Sequence, residues 1–183
     1  VYSCGSNFQI VNLNTLERKI YPAQDIKGIG CIAVSFDKKY IAVGECGYFP
    51  SILIYEYDRT KDPNIRLYRI LRKGTENAYS ALCFNHDGTY IASAGSDPDH
   101  NLIIWHWKTE SIILKAKAFS QEVFTVTFSD NFEGKLYTSG MGHIKFWEMA
   151  KTFTGLKLQG ELGKFGQVDL SDVSALIEFP DGK

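Results

Sequence analysis

Hydrophobic and polar residues alternate along this chain with a period of two rather than 3.6. Short apolar runs recur throughout the sequence and are rich in β-branched and aromatic side chains. This alternation is typical of half-buried β-strands, and no long stretch shows the spacing of an amphipathic helix. Turn-forming residues such as Asp87-Gly88 separate the runs. The pattern therefore predicts an all-β protein.

The strand-like runs themselves form a repeat. Two sets of aromatic residues recur in them at intervals of 42 to 50 residues. We predict that these six residues are structural anchors: Phe36, Tyr55, Phe84, Trp105, Phe128 and Trp147. A period in the forties with four strands per unit is typical of β-propeller blades. One four-stranded sheet cannot cover both of its faces, so the blades must stack on one another.

The repeat matches the WD pattern only in part. The Asp that follows the aromatic residue in a WD repeat is replaced by Glu56, His106 and Glu148. The Gly-His dipeptide that precedes the first strand of a WD repeat is missing. We therefore expect an incomplete Trp-Ser/Thr-His-Asp hydrogen-bond network between the strands.

The predicted fold is a partial WD-repeat-like β-propeller, with about three full four-stranded blades and a partial blade at each end. The predicted units are residues 1–23 (closing strands of a preceding blade), 24–76 (blade), 77–117 (blade), 118–171 (blade with an extended final connection) and 172–183 (first strand of the next blade). Since both ends fall inside strand patterns, we expect the sequence to be an excerpt from a longer protein.

The amino-acid composition argues against several classes of function. The 20 basic residues face 21 acidic ones, and this balance argues against a nucleic-acid binder or electrostatic attachment to a membrane. No apolar run approaches the length of about 20 residues that a membrane helix needs. The four cysteines show no CxxC spacing, which favours free thiols in a reducing compartment and leaves a structural disulfide as the alternative.

Three motifs suggest site chemistry, and each falls short of its pattern. Residues 28–33 match a dinucleotide fingerprint, but a strand-like run follows them where the fingerprint needs a helix. The stretch that starts at Asp97 has Leu102 and Lys108 where a calcium loop needs Gly and Glu. The four histidines lack zinc-site spacing. We predict no enzyme, no catalytic residue, no metal and no cofactor.

Two aromatic segments are candidate contacts for a partner. Tyr48 and Phe49 lie in an apolar insertion between the second and third strands of their unit. Phe119 begins a segment with a polar centre and aromatic ends that leads into a strand. An exposed aromatic loop can bind a partner, and it can equally cover the core, so the sequence leaves both roles open.

Several segments resemble one family of WD-repeat proteins. The most distinctive are residues 118–128 (AFSQEVFTVTF), 146–150 (FWEMA) and 155–160 (GLKLQG). Residues 49–57, 68–76, 95–99 and 179–182 fit the same family. Together they resemble the cilia- and flagella-associated protein 44 family over nearly the whole chain, within its N-terminal propeller region.

The resemblance implies a structural and regulatory role in the axoneme of motile cilia and flagella. Proteins of this family pair with their sister, cilia- and flagella-associated protein 43. Together they tether the heavy chains of the inner dynein arm f (I1) to axonemal doublet microtubules, and the family has no catalytic motif to transfer. The alternative is a generic cytosolic WD-repeat scaffold for protein interactions.

We expect the 183-residue chain, expressed by itself, to aggregate or stay partly unfolded, because its end sheets lack neighbouring blades. Size-exclusion chromatography and a thermal melt measure this directly. A monomeric chain with a cooperative melt would contradict the incomplete-ring interpretation.

Overall fold

The strands of the protein form four antiparallel sheets. The computed structural model describes residues 1–22, 28–58, 60–61, 64–167, 169 and 171–179. Sheet A contains β1 (Tyr2–Cys4), β2 (Asn7–Val11) and β3 (Arg18–Pro22). Sheet B contains β4 (Ile29–Val34), β5 (Tyr40–Glu45), β6 (Ile52–Tyr57) and β7 (Ile65–Leu71). Sheet C contains β8 (Tyr79–Phe84), β9 (Ile91–Gly95), β10 (Asn101–His106) and β11 (Ser111–Lys117). Sheet D contains β12 (Val123–Phe128), β13 (Lys135–Gly140), β14 (His143–Thr152) and β15 (Gly155–Leu162).

Successive sheets share three buried apolar clusters. In the A–B cluster, the ring centroids of Phe8 and Tyr55 lie 5.2 Å apart. The B–C cluster contains Trp105 and Trp107, and the C–D cluster contains Trp147. The first strands of sheets B, C and D also contact one another in order. This stacking of four-stranded meanders is that of a partial WD-repeat-like β-propeller, and the described strands close no barrel.

The first strand of each four-stranded sheet begins with the same irregularity. The pairing register shifts between Ile29 and Cys31 in sheet B and between Tyr79 and Ala81 in sheet C. Sheet D has the equivalent shift between Val123 and Thr125. Such a bulge bends a strand and increases its local twist. Because the bulge recurs at the same place, it is a feature of the repeat rather than of one sheet.

Buried tryptophans in sheets C and D donate a hydrogen bond to the neighbouring strand. Trp105 Nε1 donates to Ser93 Oγ at 2.8 Å. Trp147 Nε1 donates to Thr138 Oγ1 at 2.9 Å. In sheet B the tryptophan is replaced by Tyr55, whose buried hydroxyl makes no hydrogen bond to any residue that the structure describes. The Trp-Ser/Thr part of the WD network is therefore present in two sheets.

Five of the six predicted anchors are buried and the sixth is not. The buried anchors are Tyr55, Phe84, Trp105, Phe128 and Trp147. Phe36 instead has 69% of its surface exposed, and its ring lies 4.2 Å from that of His86. It sits in the turn between β4 and β5, so it anchors no sheet interior.

Strand register explains the position of Phe36. Phe84 ends β8 opposite Ile91, and the equivalent pair in sheet B is Val34 opposite Ile41. The equivalent of Phe84 is therefore Val34, two residues before Phe36. The sequence comparison aligned aromatic residues, whereas the β-ladder aligns residues by their pairing partners, and Val34 is itself partly exposed.

The three four-stranded sheets lie within the predicted units 24–76, 77–117 and 118–171, and sheet A lies within 1–23. Residues 23–27 and 180–183 are outside the described part of the chain. Residues 171–179 contain no strand. Within them, the Glu178 carboxylate accepts hydrogen bonds from Ser129 Oγ and Tyr137 OH, both at 2.9 Å. A first strand of a further blade at 172–183 stays a prediction.

The glycine motif at residues 28–33 lies almost entirely within β4, and a turn follows it where the dinucleotide fingerprint needs a helix. Across the described ranges, we find no helical segment with the length and apolar character that a membrane crossing requires.

We expect Ser93→Ala to lower the local opening free energy of β9 and β10 by about 1–3 kcal/mol, because it leaves the buried Trp105 N–H without an acceptor. Hydrogen exchange of the β9 and β10 amides in the full-length protein measures this free energy.

Tyr55→Phe is the matched control in sheet B, because it removes a hydroxyl that has no partner among the described residues. We expect it to change local stability by less than about 0.5 kcal/mol or to raise it. Equal losses in the two variants would show that the indole hydrogen bond contributes nothing specific.

Candidate partner-binding surface

The loop between β5 and β6 presents two aromatic rings to solvent. Tyr48 and Phe49 have 70% and 65% of their surface exposed, and their ring centroids lie 4.3 Å apart. Large exposed aromatic side chains that lie together are typical of protein interaction sites. The structure thus brings together two of the three predicted contact residues, and their contact with a partner stays a prediction.

Backbone hydrogen bonds hold this loop against the segment that joins sheets B and C. Phe49 N donates to Glu76 O at 2.8 Å, and Gly47 N donates to Asn77 O. The buried Glu45 carboxylate accepts from Ser51 N at 3.1 Å. Phe49 has a left-handed backbone with φ of 51°, which a non-glycine residue adopts only when its surroundings impose it. The main chain that carries the two rings is therefore fixed against the linker.

Phe119 packs against the protein rather than extending from it. It lies between β11 and β12, and its ring stacks on His143 with a centroid distance of 4.0 Å. The neighbouring Ala118 carbonyl accepts a hydrogen bond from Lys145 Nζ at 3.1 Å. Lys145 Nζ also lies 4.0 Å from the Trp147 ring centroid. These contacts favour a structural role for Phe119, which fastens the linker to sheet D.

His143, the first residue of β14, is a buried histidine. Its side chain is buried, Nδ1 lies 3.1 Å from the Met141 carbonyl oxygen, and Nε2 has no described partner. Burial lowers the pKa of His143, and the nearby Lys145 lowers that pKa further. The sequence did not single out this residue, because its burial depends on Phe119 and the β14 backbone.

The loop between β9 and β10 is fastened to the B–C linker and does not form a ligand cage. Thr75 Oγ1 donates to Asp99 Oδ1 at 2.8 Å. Asn77 Nδ2 donates to the Asp97 carbonyl oxygen at 3.0 Å. Within the described ranges, no three His, Cys, Asp or Glu side chains are arranged to hold a metal ion.

The four cysteines form no disulfide bond. The Cys31 thiol donates to the Tyr79 carbonyl oxygen at 3.3 Å. Burial raises the pKa of this thiol, and the neighbouring Cys46 raises it further. A thiol that stays protonated is a poor nucleophile and a poor metal ligand.

Comparison with known proteins identifies the family. The chain is 48% identical over 183 residues to mouse cilia- and flagella-associated protein 44 and 49% identical over 181 residues to the protein of that name from Chlamydomonas reinhardtii. These matches cover 100% and 95% of the chain. The chain belongs to the cilia- and flagella-associated protein 44 family. The corresponding protein of Trypanosoma brucei brucei is 41% identical over 85% of the chain.

The family confirms the resemblance seen in the sequence and places the chain in the cilium or flagellum. The chain spans about a tenth of the length of these relatives. No family model matches it.

Two more distant relatives widen the comparison. Mouse cilia- and flagella-associated protein 43 is 25% identical over 82% of the chain, and the match covers 9% of that protein. The 77 kDa echinoderm microtubule-associated protein of Strongylocentrotus purpuratus is 28% identical over 92% of the chain, and the match covers 24% of that protein.

We expect the local stability around β14 to fall as the pH drops below about 6.5, the ordinary pKa of histidine. In this range the unfolded chain binds a proton at His143, whereas the folded chain with its lowered pKa resists it. Hydrogen exchange of the β14 amides at pH 7 and pH 5.5 in the full-length protein measures the effect.

His143→Gln is the control, because its side chain does not titrate. We expect this variant to lose less stability than the wild type between the two pH values. The same loss in both proteins would show that His143 does not cause the pH dependence.

Proposed function

We propose that the chain is part of a non-catalytic structural and regulatory scaffold in the axoneme of motile cilia. In this proposal it belongs to the tether that holds the motor domains of the inner dynein arm f (I1) to doublet microtubules. Its partners are the sister cilia- and flagella-associated protein 43, the dynein heavy chains and the doublet. The observation that carries the proposal is sequence identity near one half over the whole chain with cilia- and flagella-associated protein 44.

The distant relatives support parts of this proposal. Similarity to cilia- and flagella-associated protein 43 fits a pair of sister scaffolds with the same kind of sheets. The name of the sea-urchin relative associates a similar chain with microtubules. The names of the relatives describe association with cilia, flagella or microtubules and contain no enzyme activity.

The geometry supports a contact role for the β5–β6 loop. Backbone hydrogen bonds fix the main chain of this loop, so a partner orders little main chain when it binds the rings of Tyr48 and Phe49. Aromatic side chains are also the residues on which binding free energy concentrates. We therefore assign the partner contact to these two rings rather than to Phe119.

The test is rescue of cells that lack the full-length protein. We expect wild-type protein to enter the axoneme and restore the position of the f (I1) motor domains in cryo-electron tomograms. We expect Tyr48→Ala/Phe49→Ala to weaken axonemal retention by about tenfold or more, because two clustered aromatic rings supply hot-spot contacts. Retention is measured by extracting axonemes at increasing salt.

Phe36→Ala is the matched control, since it removes an equally exposed ring. Phe36 lies in the β4–β5 turn, at the end of sheet B opposite to the β5–β6 loop. We expect this variant to behave as wild type. A tagged wild-type protein that stays in the cytosol would favour the generic scaffold. Equal axonemal retention of all variants would show that the β5–β6 loop does not contact the partner.

A further inference from the structure

The third strand of sheet D is longer than its equivalents. β14 has 10 residues, whereas β6 and β10 have 6 each. β13 pairs only with His143–Glu148 of β14. Beyond this point β14 pairs with β15 alone, from Met149 opposite Leu158 to Thr152 opposite Gly155. We call this two-stranded ribbon of residues 149–158 the arm.

The arm extends beyond the body of its sheet. Four further residue pairs at about 3.4 Å each carry it about 14 Å past the last residue pair of β13. A hydrogen bond from Met149 N to Gly134 O, 2.8 Å long, fastens its base. In its turn, Thr152 Oγ1 donates to Gly155 O at 2.7 Å. Among the residues that the structure describes, sheets B and C have no counterpart of this ribbon.

The tip of the arm is apolar and its flanks are basic. Phe153, at the turn, is fully exposed. Lys151 and Lys157 are exposed on the two strands, and residues 149–158 contain no Asp or Glu. Leu156 is also exposed beside them. The arm therefore carries two positive charges, although the whole chain has a net charge of −1.

An isolated two-stranded ribbon gains little from folding by itself, and an exposed Phe at its tip gains nothing from the core. The features that the arm does offer are reach, positive charge and one apolar contact. Positive charge attracts an acidic surface and speeds encounter with it. A single aromatic side chain that enters an apolar pocket can then supply a large share of the binding free energy.

We propose that the arm is the contact through which this chain binds the acidic surface of the doublet microtubule. The proposal rests on the proposed axonemal function, which names the doublet as a partner. Tubulin subunits are acidic proteins, so the charge of the arm is complementary to them. In this contact the exposed Lys151 and Lys157 face the acidic surface, and Phe153 supplies the apolar contact at the tip of the arm. The Tyr48–Phe49 loop remains available for a second partner.

The test measures sedimentation of the full-length protein with purified microtubules at several salt concentrations. We expect Lys151→Glu/Lys157→Glu to weaken binding by about tenfold or more and to flatten its salt dependence, because surface charge attraction is screened by salt. We expect Phe153→Ala to weaken binding about tenfold while leaving the salt dependence unchanged. Lys151→Gln/Lys157→Gln gives an intermediate loss.

Lys115→Glu/Lys117→Glu is the matched control. It makes the same change in net charge on β11, the outer strand of sheet C, where both lysines are exposed. We expect this control to bind microtubules nearly as well as the wild type. Hydrogen exchange of β14 and β15 establishes that each arm variant keeps its ribbon.

The outcomes distinguish a failure of the arm inference alone from a failure of the proposed function. If wild-type protein binds microtubules and the arm variants bind equally well, the arm inference is wrong and the axonemal function stands. If the control loses as much binding as the arm variants, the loss comes from the net charge of the protein rather than from the arm, and the inference is also wrong. If arm variants keep microtubule binding but lose protein 43 or dynein, the occupant is another protein. If the wild type does not bind microtubules at all, the microtubule part of the proposed function fails with it.

Discussion

A four-stranded sheet with apolar residues on both faces must be covered on both sides, and this constraint organises the molecule. Sheet B buries Val43 toward sheet A and Ala42 toward sheet C, although the two residues are adjacent in β5. Each cluster is therefore completed by residues of two sheets. None of the described clusters is formed by one sheet alone. The stability of each sheet therefore depends on its neighbours, as in other repeat proteins.

The same constraint decides where polar groups can lie inside the stack. A tryptophan between two sheets buries a large apolar surface, but its N–H then needs an acceptor. Ser93 and Thr138 supply that acceptor from the adjacent strand. Sheet B has Val43 at the equivalent position, so a tryptophan there would have no acceptor from this strand. Tyr55 fills the space instead.

The strands and their grouping follow from the sequence because a period of two and regular turns are local signals. The register of a repeat is not local, which is why matching Phe36 to Phe84 placed an exposed turn residue among the anchors. The exposure of Tyr48 and Phe49 agrees with the predicted insertion. The fixed main chain of their loop depends on the linker at Glu76 and Asn77, distant in sequence, so no local pattern reveals it.

Two segments of this chain depart from the repeat of four-stranded sheets that the structure describes. The β5–β6 loop and the β14–β15 arm add residues beyond what the sheets need for burial, and each ends in an exposed aromatic ring. Folding alone gives no reason to expose these rings, because they would be more stable covered. A scaffold needs such departures, since surfaces that are identical in every blade cannot select different partners. The stacked sheets set the places from which the loop and the arm project, and the departures supply the selectivity.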